Sequence, residues 1–227
     1  RINSKGKTNR LEKGMSDISV VKRNGQVEEF HLSKIHDMVD HACRGLAGVS
    51  ESAVEMNANL QVFDGIKTSD IQEILVRSAN DLISLEAPNY QFVAARLLLF
   101  GLRKQVYNGH PDLRPHIQEH VWDCIERGVY DKAILKAYSD EEWDQIESYI
   151  DHDRDYLFTY AGLRQVVDKY LVQDRSSGEV YETPQQMYIM IAATLFQKYP
   201  KETRLDYVRR YYNAISKHRI NIPTPIM

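Results

Sequence analysis

The chain has 227 residues, of which 43% are hydrophobic and 27% charged, the usual mix of a soluble globular protein with one large domain or two small ones. Its 29 Lys and Arg against 32 Asp and Glu give a net charge of −3, which excludes nucleic-acid binding by bulk positive charge. Its two cysteines exclude a disulfide framework and a four-cysteine zinc site. No apolar run reaches the ~18 residues of a membrane span, so we expect a cytoplasmic protein without membrane or nucleic-acid partners.

The first fourteen residues are polar and contain five Lys or Arg and one Glu. They lack the apolar stretch of a secretory signal. We interpret residues 1–14 as a leader or an added segment without fixed structure, and Met15 as the natural start. The alternative is a basic arm that binds an acidic partner.

The first regular structure that the sequence predicts is a β-hairpin. Strands over residues 18–22 and 27–31 flank the dipeptide Asn24-Gly25, which is typical of a type I′ turn with positive φ at both central positions. Ser33 is then a suitable N-cap for the first helix.

Four helices are predicted after this hairpin, and with it they form a first domain over residues 15–108. Their apolar residues recur at helical spacing. Ser69 and Gln72 fit a capping box at the start of the third helix. The fourth helix, over residues 89–107, is apolar nearly all round, which is typical of the buried helix at the centre of a unit. The Asn-Gly-His-Pro stretch at residues 108–111 is typical of a domain boundary.

Residues 109–227 predict a second, mostly helical domain. Helices are expected near residues 113–128, 131–137, 140–150, 156–171, 184–198 and 203–217. The stretch 170–181 predicts a second β-hairpin that turns at Ser177-Gly178. The predicted fold is therefore mainly α: a β-hairpin plus four-helix unit, then a mostly helical domain with one further β-hairpin.

The first domain holds residues that suit a triphosphate. Such a ligand carries roughly four negative charges, so it needs several cations and free backbone N–H groups. The cations could be Lys22, Arg23, Lys34 and Lys104. The predicted helix start at Thr68 could supply the N–H groups. Because each screened contact is worth only about 1 kcal/mol, several must converge.

Glu28 and His31 lie close to these cations in the sequence. A carboxylate disfavours phosphate, but it can accept a hydrogen bond from the exocyclic amine of adenine. Taken singly, each lysine is also compatible with a solvated surface charge, since lysine is almost always exposed. The chain has no GxxxxGK[ST] loop, which excludes a P-loop.

The spelling of these segments resembles the ATP-cone, the nucleotide-sensing regulatory domain of many ribonucleotide reductases. The pattern Val-x-Lys-Arg-x-Gly-x-x-Glu-x-Phe over residues 20–30 is followed by Lys-Ile at 34–35. Asp-Gly-x-x-Thr-x-Asp-Ile then occupies residues 64–71. This resemblance runs from about Val20 to Tyr107.

Later segments are similar to the large subunit of class I ribonucleoside-diphosphate reductase. They are Ile-Asp-His-Asp-Arg-Asp at 150–155, Gly-Glu-Val-Tyr-Glu-Thr-Pro at 178–184 and Ile-Pro-Thr-Pro-Ile-Met at 222–227. The resemblance implies an oxidoreductase, dependent on thioredoxin or glutaredoxin, that makes deoxyribonucleoside diphosphates for DNA synthesis. It also implies three partners: the remainder of the large subunit, a small radical-generating subunit and, at full length, a second copy.

In the family, the cone binds ATP or dATP, with magnesium, as an allosteric effector. By matching positions, the resemblance implies an effector site made of Lys22, Arg23, Glu28, His31, Lys34, Ile35, Thr68 and Lys104. Similar proteins often have histidine where this chain has Gln72 and Gly101, and asparagine where it has His31. The response to dATP is therefore left open.

The same resemblance implies that Thr224 contacts a nucleoside diphosphate substrate. It places the catalytic cysteines beyond Met227, so we expect no catalytic residue here and a fragment that is inactive alone, truncated before the catalytic barrel. Cys43 and Cys124 fall within predicted helices, and we interpret both as buried and inert. No recognised set of metal ligands is present in the sequence.

Two other classes of protein are alternatives to the reductase hypothesis. A transcription repressor with an ATP-cone would carry paired CxxC motifs before the cone, and this chain contains no CxxC. A helical assembly module whose cone no longer binds nucleotide stays open, because Gln72 and Gly101 depart from the family's pattern. Binding of nucleotide by Lys22 and Lys104 would discriminate between these readings.

Overall fold

The computed structural model describes residues 18–59 and 63–221. The predicted leader at residues 1–14, the start at Met15 and the predicted substrate contact Thr224 lie outside the described residues. No helix within the described ranges is long and apolar enough to cross a membrane.

The described residues form two compact units. The first contains the residues up to Gly101 together with Thr159–Ala161, and the second contains Leu102–Phe158 and the residues from Gly162 onward. The predicted domain boundary at residues 108–111 stays a prediction, because a division by contacts does not test which part folds independently.

A three-stranded sheet opens the first unit. Its central strand β1 (Ser19–Val21) pairs antiparallel with β2 (Val27–Glu29) and parallel with β3 (Ile66–Lys67). The hairpin of β1 and β2 was predicted and is confirmed, whereas β3 was not predicted.

The turn between β1 and β2 differs from the predicted type I′ turn. Gly25 has a φ of +81°, but Asn24 does not have positive φ. The N–H of Gly25 donates to the carbonyl of Lys22, and the N–H of Lys22 donates to the carbonyl of Gln26. The prediction was wrong because a longer turn with one left-handed glycine also joins two strands in this register.

Four helices follow, as predicted. They are α1 (Leu32–Cys43), α2 (Glu51–Ala58), α3 (Thr68–Asp81) and α4 (Tyr90–Val106). Val93 and Leu97 of α4 are buried against the rest of the unit, as are Val39 of α1 and Leu75 of α3. Burial of each such side chain stabilises the fold by about 1.5–3 kcal/mol. With its buried residues, α4 is the central helix that its composition predicts.

Two predicted N-cap residues, Ser33 and Ser69, are wrong. Helix α1 has its N-cap at His31 rather than Ser33, and α3 has its N-cap at Lys67. The predicted capping box of Ser69 and Gln72 therefore does not form, and the Gln72 side chain is instead buried within the unit. Pairing of β3 with β1 fixes where α3 begins, and this tertiary contact overrides the local preference of serine for the cap.

The rest of the described chain is mostly helical, with one small hairpin. Its helices are α5 (Ile117–Glu126), α6 (Ala133–Ala137), α7 (Asp140–Tyr149), α8 (Tyr160–Lys169), α9 (Pro184–Phe196) and α10 (Lys201–Ser216). Strands β4 (Gln173–Asp174) and β5 (Glu179–Val180) form the predicted second hairpin, with Gly178 at a φ of +75°. The mainly α fold class is thus confirmed.

The predicted helix at residues 156–171 is the one that differs most. A 3₁₀ helix (His152–Leu157) comes first, and α8 begins only at Tyr160. The Asp151 side chain accepts a hydrogen bond from the N–H of Asp153 and caps the 3₁₀ helix, while Phe158 is extended. This extended residue breaks the helical pattern that the apolar spacing favours.

Candidate effector site

Glu28, the middle residue of β2, lies between two lysines. Lys22 Nζ is 2.7 Å from one carboxylate oxygen of Glu28, and Lys34 Nζ is 3.1 Å from the other. The hydrogen bond from Lys22 is the largest cause that lowers the pKa of the Glu28 carboxyl below its usual value. The Lys22 and Lys34 side chains are 42% and 59% exposed, so each ion pair is worth at most about 1 kcal/mol. Both lysines are therefore free to turn toward a stronger anion.

Arg23 lies beside this cluster, and its guanidinium rests on helix α4. A Cβ built on Gly101 would lie 3.5 Å from Arg23 Nη2 and 3.1 Å from Gln72 Cγ. Although Arg23 as a residue is exposed, desolvation of its guanidinium lowers its pKa. Gln72 is buried, and its Nε2 donates to the carbonyl of Leu97 at 2.7 Å. Three segments, the β1–β2 turn, α3 and α4, thus meet at Gly101.

The start of α3 lies at the end of the sheet where β1 leads into the β1–β2 turn. Val21 pairs with Lys67 in the parallel ladder, so Lys22 and Thr68 are the residues that directly follow these two paired strands. The N-cap of α3 makes no hydrogen bond through its side chain. The first N–H groups of a helix carry a partial positive charge of about half an electron charge, so Lys22 and the α3 start favour an anion between them.

Two family models match the chain. Residues 18–105 match the ATP cone domain, and residues 156–227 match the all-alpha domain of ribonucleotide reductase. In these two regions the chain is therefore similar to domains of ribonucleotide reductases. The site described above lies wholly within the range that matches the cone.

Named relatives agree with these matches. The chain is 49% identical over 211 residues to ribonucleoside-diphosphate reductase 1 subunit alpha of Escherichia coli strain K12. The matched residues make up 93% of this chain and 28% of that protein. It is 50% identical over 208 residues to the protein of the same name from Salmonella typhimurium strain LT2 (92% and 27%). It is 42% identical over 215 residues to the subunit alpha of Enterobacteria phage T4 (94% and 28%). The chain thus spans little more than a quarter of the length of these relatives.

The structure brings some of the predicted effector residues of the cone together. Direct contacts join Lys22, Glu28 and Lys34, and the strand register adds Thr68. The individual roles of these residues stay predictions.

The remaining predicted residues are placed differently. His31 is exposed and is the N-cap of α1, without a hydrogen bond from its side chain. Ile35 is buried, with 5% of its surface exposed. Lys104 lies on α4, in the part of that helix that belongs to the second unit. Their parts in effector binding stay predictions.

Lys67 is a cation of the site that the sequence analysis missed. It is exposed, pairs with Val21 and is the N-cap of α3. A strand of two residues is too short to show an alternating pattern, so the only available signal was the Asp64-Gly65 turn that precedes it.

The two cysteines show no sign of reactivity. Cys43 and Cys124 are both buried and free. Desolvation raises the pKa of the Cys43 thiol to about 11 and that of Cys124 to about 12. Both thiols are therefore protonated near neutral pH, as expected of inert buried cysteines. Within the described part of the chain, no three His, Cys, Asp or Glu side chains are grouped so that they could hold a metal ion.

Proposed function

We propose that the cone of this chain binds ATP or dATP, with magnesium, as an allosteric effector. The observation that carries the proposal is the meeting of Lys22 and Lys34 at Glu28, with Arg23 next to Lys22 in the chain and the start of α3 next to Lys22 in the strand register. The two exposed ion pairs of Glu28 can be exchanged for phosphate at little cost, since each is worth at most about 1 kcal/mol.

The residue types suggest that different side chains contact different parts of the bound nucleotide. Lys22, Arg23 and Thr68, with Lys104, hold the phosphates or the ribose edge, because cations and helix N–H groups bind phosphate oxygens. Glu28, with His31, faces the adenine, whose exocyclic amine donates to the carboxylate. Lys34 and Ile35 complete the site.

We propose further that the chain is the regulatory, non-catalytic part of a larger subunit that reduces ribonucleoside diphosphates for DNA synthesis. The names of its relatives support this activity. In that setting the partners are the remainder of the large subunit, a small radical-generating subunit and a second copy, in the cytoplasm. Thr224 then contacts the substrate.

Calorimetric titration of the 227-residue chain with ATP and with dATP, each with magnesium, tests the effector site. We expect saturable binding that weakens about tenfold in Lys22→Ala, the loss of roughly one charge-assisted contact. The matched control is Lys198→Ala, since Lys198 is an exposed lysine of the second unit.

Unchanged affinity in Lys198→Ala and reduced affinity in Lys22→Ala would support the site. Absence of binding by a chain shown by circular dichroism to be folded would refute it. The assembly-module reading, in which the cone has lost its nucleotide, would then take its place. The ratio of the two affinities would show whether the site distinguishes dATP from ATP.

A further inference from the structure

Gly101 occupies an unusual position for a glycine. It lies in the interior of the long buried helix α4, where glycine costs about 1 kcal/mol relative to alanine. Its φ is not positive, so the backbone does not require glycine there. What glycine does provide at this point of the helix is space beside the backbone.

Two side chains lie next to the space that a Cβ would take. Gln72 Cγ would be 3.1 Å from that Cβ, which is closer than ordinary van der Waals contact, and Arg23 Nη2 would be 3.5 Å from it. Gln72 cannot move away freely, because its amide donates to the carbonyl of Leu97, one turn before Gly101. Arg23 reaches the same bare patch of α4 from the turn between β1 and β2.

We propose that Gly101 is a positioning residue for effector binding: the bare patch that it leaves on α4 seats the Arg23 guanidinium where it binds the effector's phosphates. The Gln72 side chain, held by its hydrogen bond to Leu97, lies beside this seat of the guanidinium. This inference rests on the proposed function of the cone. It assigns a role to a position that has no side chain with which to contact the effector.

The geometry predicts a graded response to side chains at position 101. The Cβ of Gly101→Ala makes an ordinary 3.5 Å contact with Arg23 and presses only on Gln72. Gly101→Met introduces a long, flexible side chain of high helix propensity, and it fills the seat of the guanidinium. We therefore expect Gly101→Ala to bind ATP within about threefold of the wild type, and Gly101→Met to lose about as much affinity as Arg23→Ala, roughly tenfold.

A double-mutant cycle separates positioning from general damage to the helix. ATP affinity is measured by calorimetry for the wild type, Arg23→Ala, Gly101→Met and the double variant, with circular dichroism to verify folding. If Gly101 acts through Arg23, Gly101→Met changes affinity by less than twofold once Arg23 is alanine. If Gly101 only serves helix packing, Gly101→Met weakens binding equally in both backgrounds, which would overturn the inference.

Two further outcomes are equally informative. A wild type that binds ATP together with an Arg23→Ala variant of unchanged affinity would overturn this inference and the proposed role of Arg23, while the proposed binding of ATP by the cone would stand. A folded wild type that does not bind ATP would refute both. Should Gly101→Met fail to fold, the cycle is run on Gln72→Ala backgrounds, because removing Gln72 Cγ and Cδ gives the new side chain room.

Discussion

Glu182 is a buried carboxyl of the second unit, and it should make the stability of that unit depend on pH. Only 2% of its surface is exposed. The Tyr130 hydroxyl donates to one carboxylate oxygen, and the N–H of Val172 donates to the other at 2.8 Å. Among the described residues, none of the Lys and Arg ion pairs involves it. Desolvation therefore dominates and raises the pKa of Glu182 to about 7.

The sign of the effect follows from the two pKa values. The carboxyl titrates near its ordinary value of 4.5 in the unfolded chain and near 7 in the folded one. Between these values the folded state binds more protons, so its stability falls as the pH rises. The contribution is complete below pH 4.5 and lost as the pH passes 7. At about 1.4 kcal/mol per pH unit, the whole loss is about 3 kcal/mol.

Glu182→Gln should remove this dependence. Its amide keeps the shape of the side chain, accepts from Val172 through its oxygen and donates to the Tyr130 hydroxyl oxygen through its nitrogen. The free energy of unfolding of Glu182→Gln minus that of the wild type should therefore be about 2 kcal/mol more positive at pH 8 than at pH 5.

Urea unfolding followed by tryptophan fluorescence measures this difference in the second unit, to which Glu182 belongs. The chain has two tryptophans, Trp122 and Trp143, and both belong to the second unit. The matched control is Glu179→Gln, since Glu179 is an exposed carboxylate of β5, close to Glu182 in the chain. A difference between Glu182→Gln and the wild type that does not vary between pH 5 and pH 8 would refute the reasoning.

Two further predictions concern buried groups. Arg204 forms a forked ion pair with Glu142, and their side chains are only 5% and 13% exposed. Arg204→Met should lower the free energy of urea unfolding by about 3 kcal/mol because it leaves a carboxylate buried without its partner. A loss below 1 kcal/mol would contradict this. Cys43 and Cys124 should not react with a thiol reagent such as dithionitrobenzoate at pH 8 in the native chain, and both should react in urea. Rapid labelling of the native chain would show that they are not buried as described.

Much of the helical fold could be predicted because its signal is local. The buried faces of α1, α3 and α4 repeat at helical spacing, so the apolar pattern alone locates them. Both hairpins follow from a glycine between two short apolar runs, at Gly25 and Gly178. These features do not depend on distant parts of the chain.

The features that could not be predicted depend on tertiary pairing. Strand β3 is two residues long and exists because Ile66 and Lys67 pair with β1. The start of α3 follows from this pairing, and so the cap propensity of Ser69 was misleading. The 3₁₀ helix before α8 is a separate case, because it depends on the local cap of Asp151, which apolar spacing does not reveal.

In the candidate site, too, the residue types could be predicted and their geometry could not. The sequence supplied the right kinds of residue, since Lys22, Lys34 and Glu28 suit a nucleotide. Their contact could not be read from spacing, because Lys22 meets Glu28 only if the turn holds β1 and β2 in the register Val21 with Val27. A slip of one residue would place Glu28 on the opposite face of the sheet.

Under the proposed function, this register gives Glu28 two roles in succession. In the empty site its carboxylate keeps Lys22 and Lys34 in place at 2.7 and 3.1 Å, which limits their mutual repulsion. A triphosphate offers both lysines more negative charge than one carboxylate does, so they turn to it at little cost. The released carboxylate must then find a donor, and the amine of adenine is one that guanine lacks at that position. A single acidic residue thereby links the binding of phosphate to the choice of base.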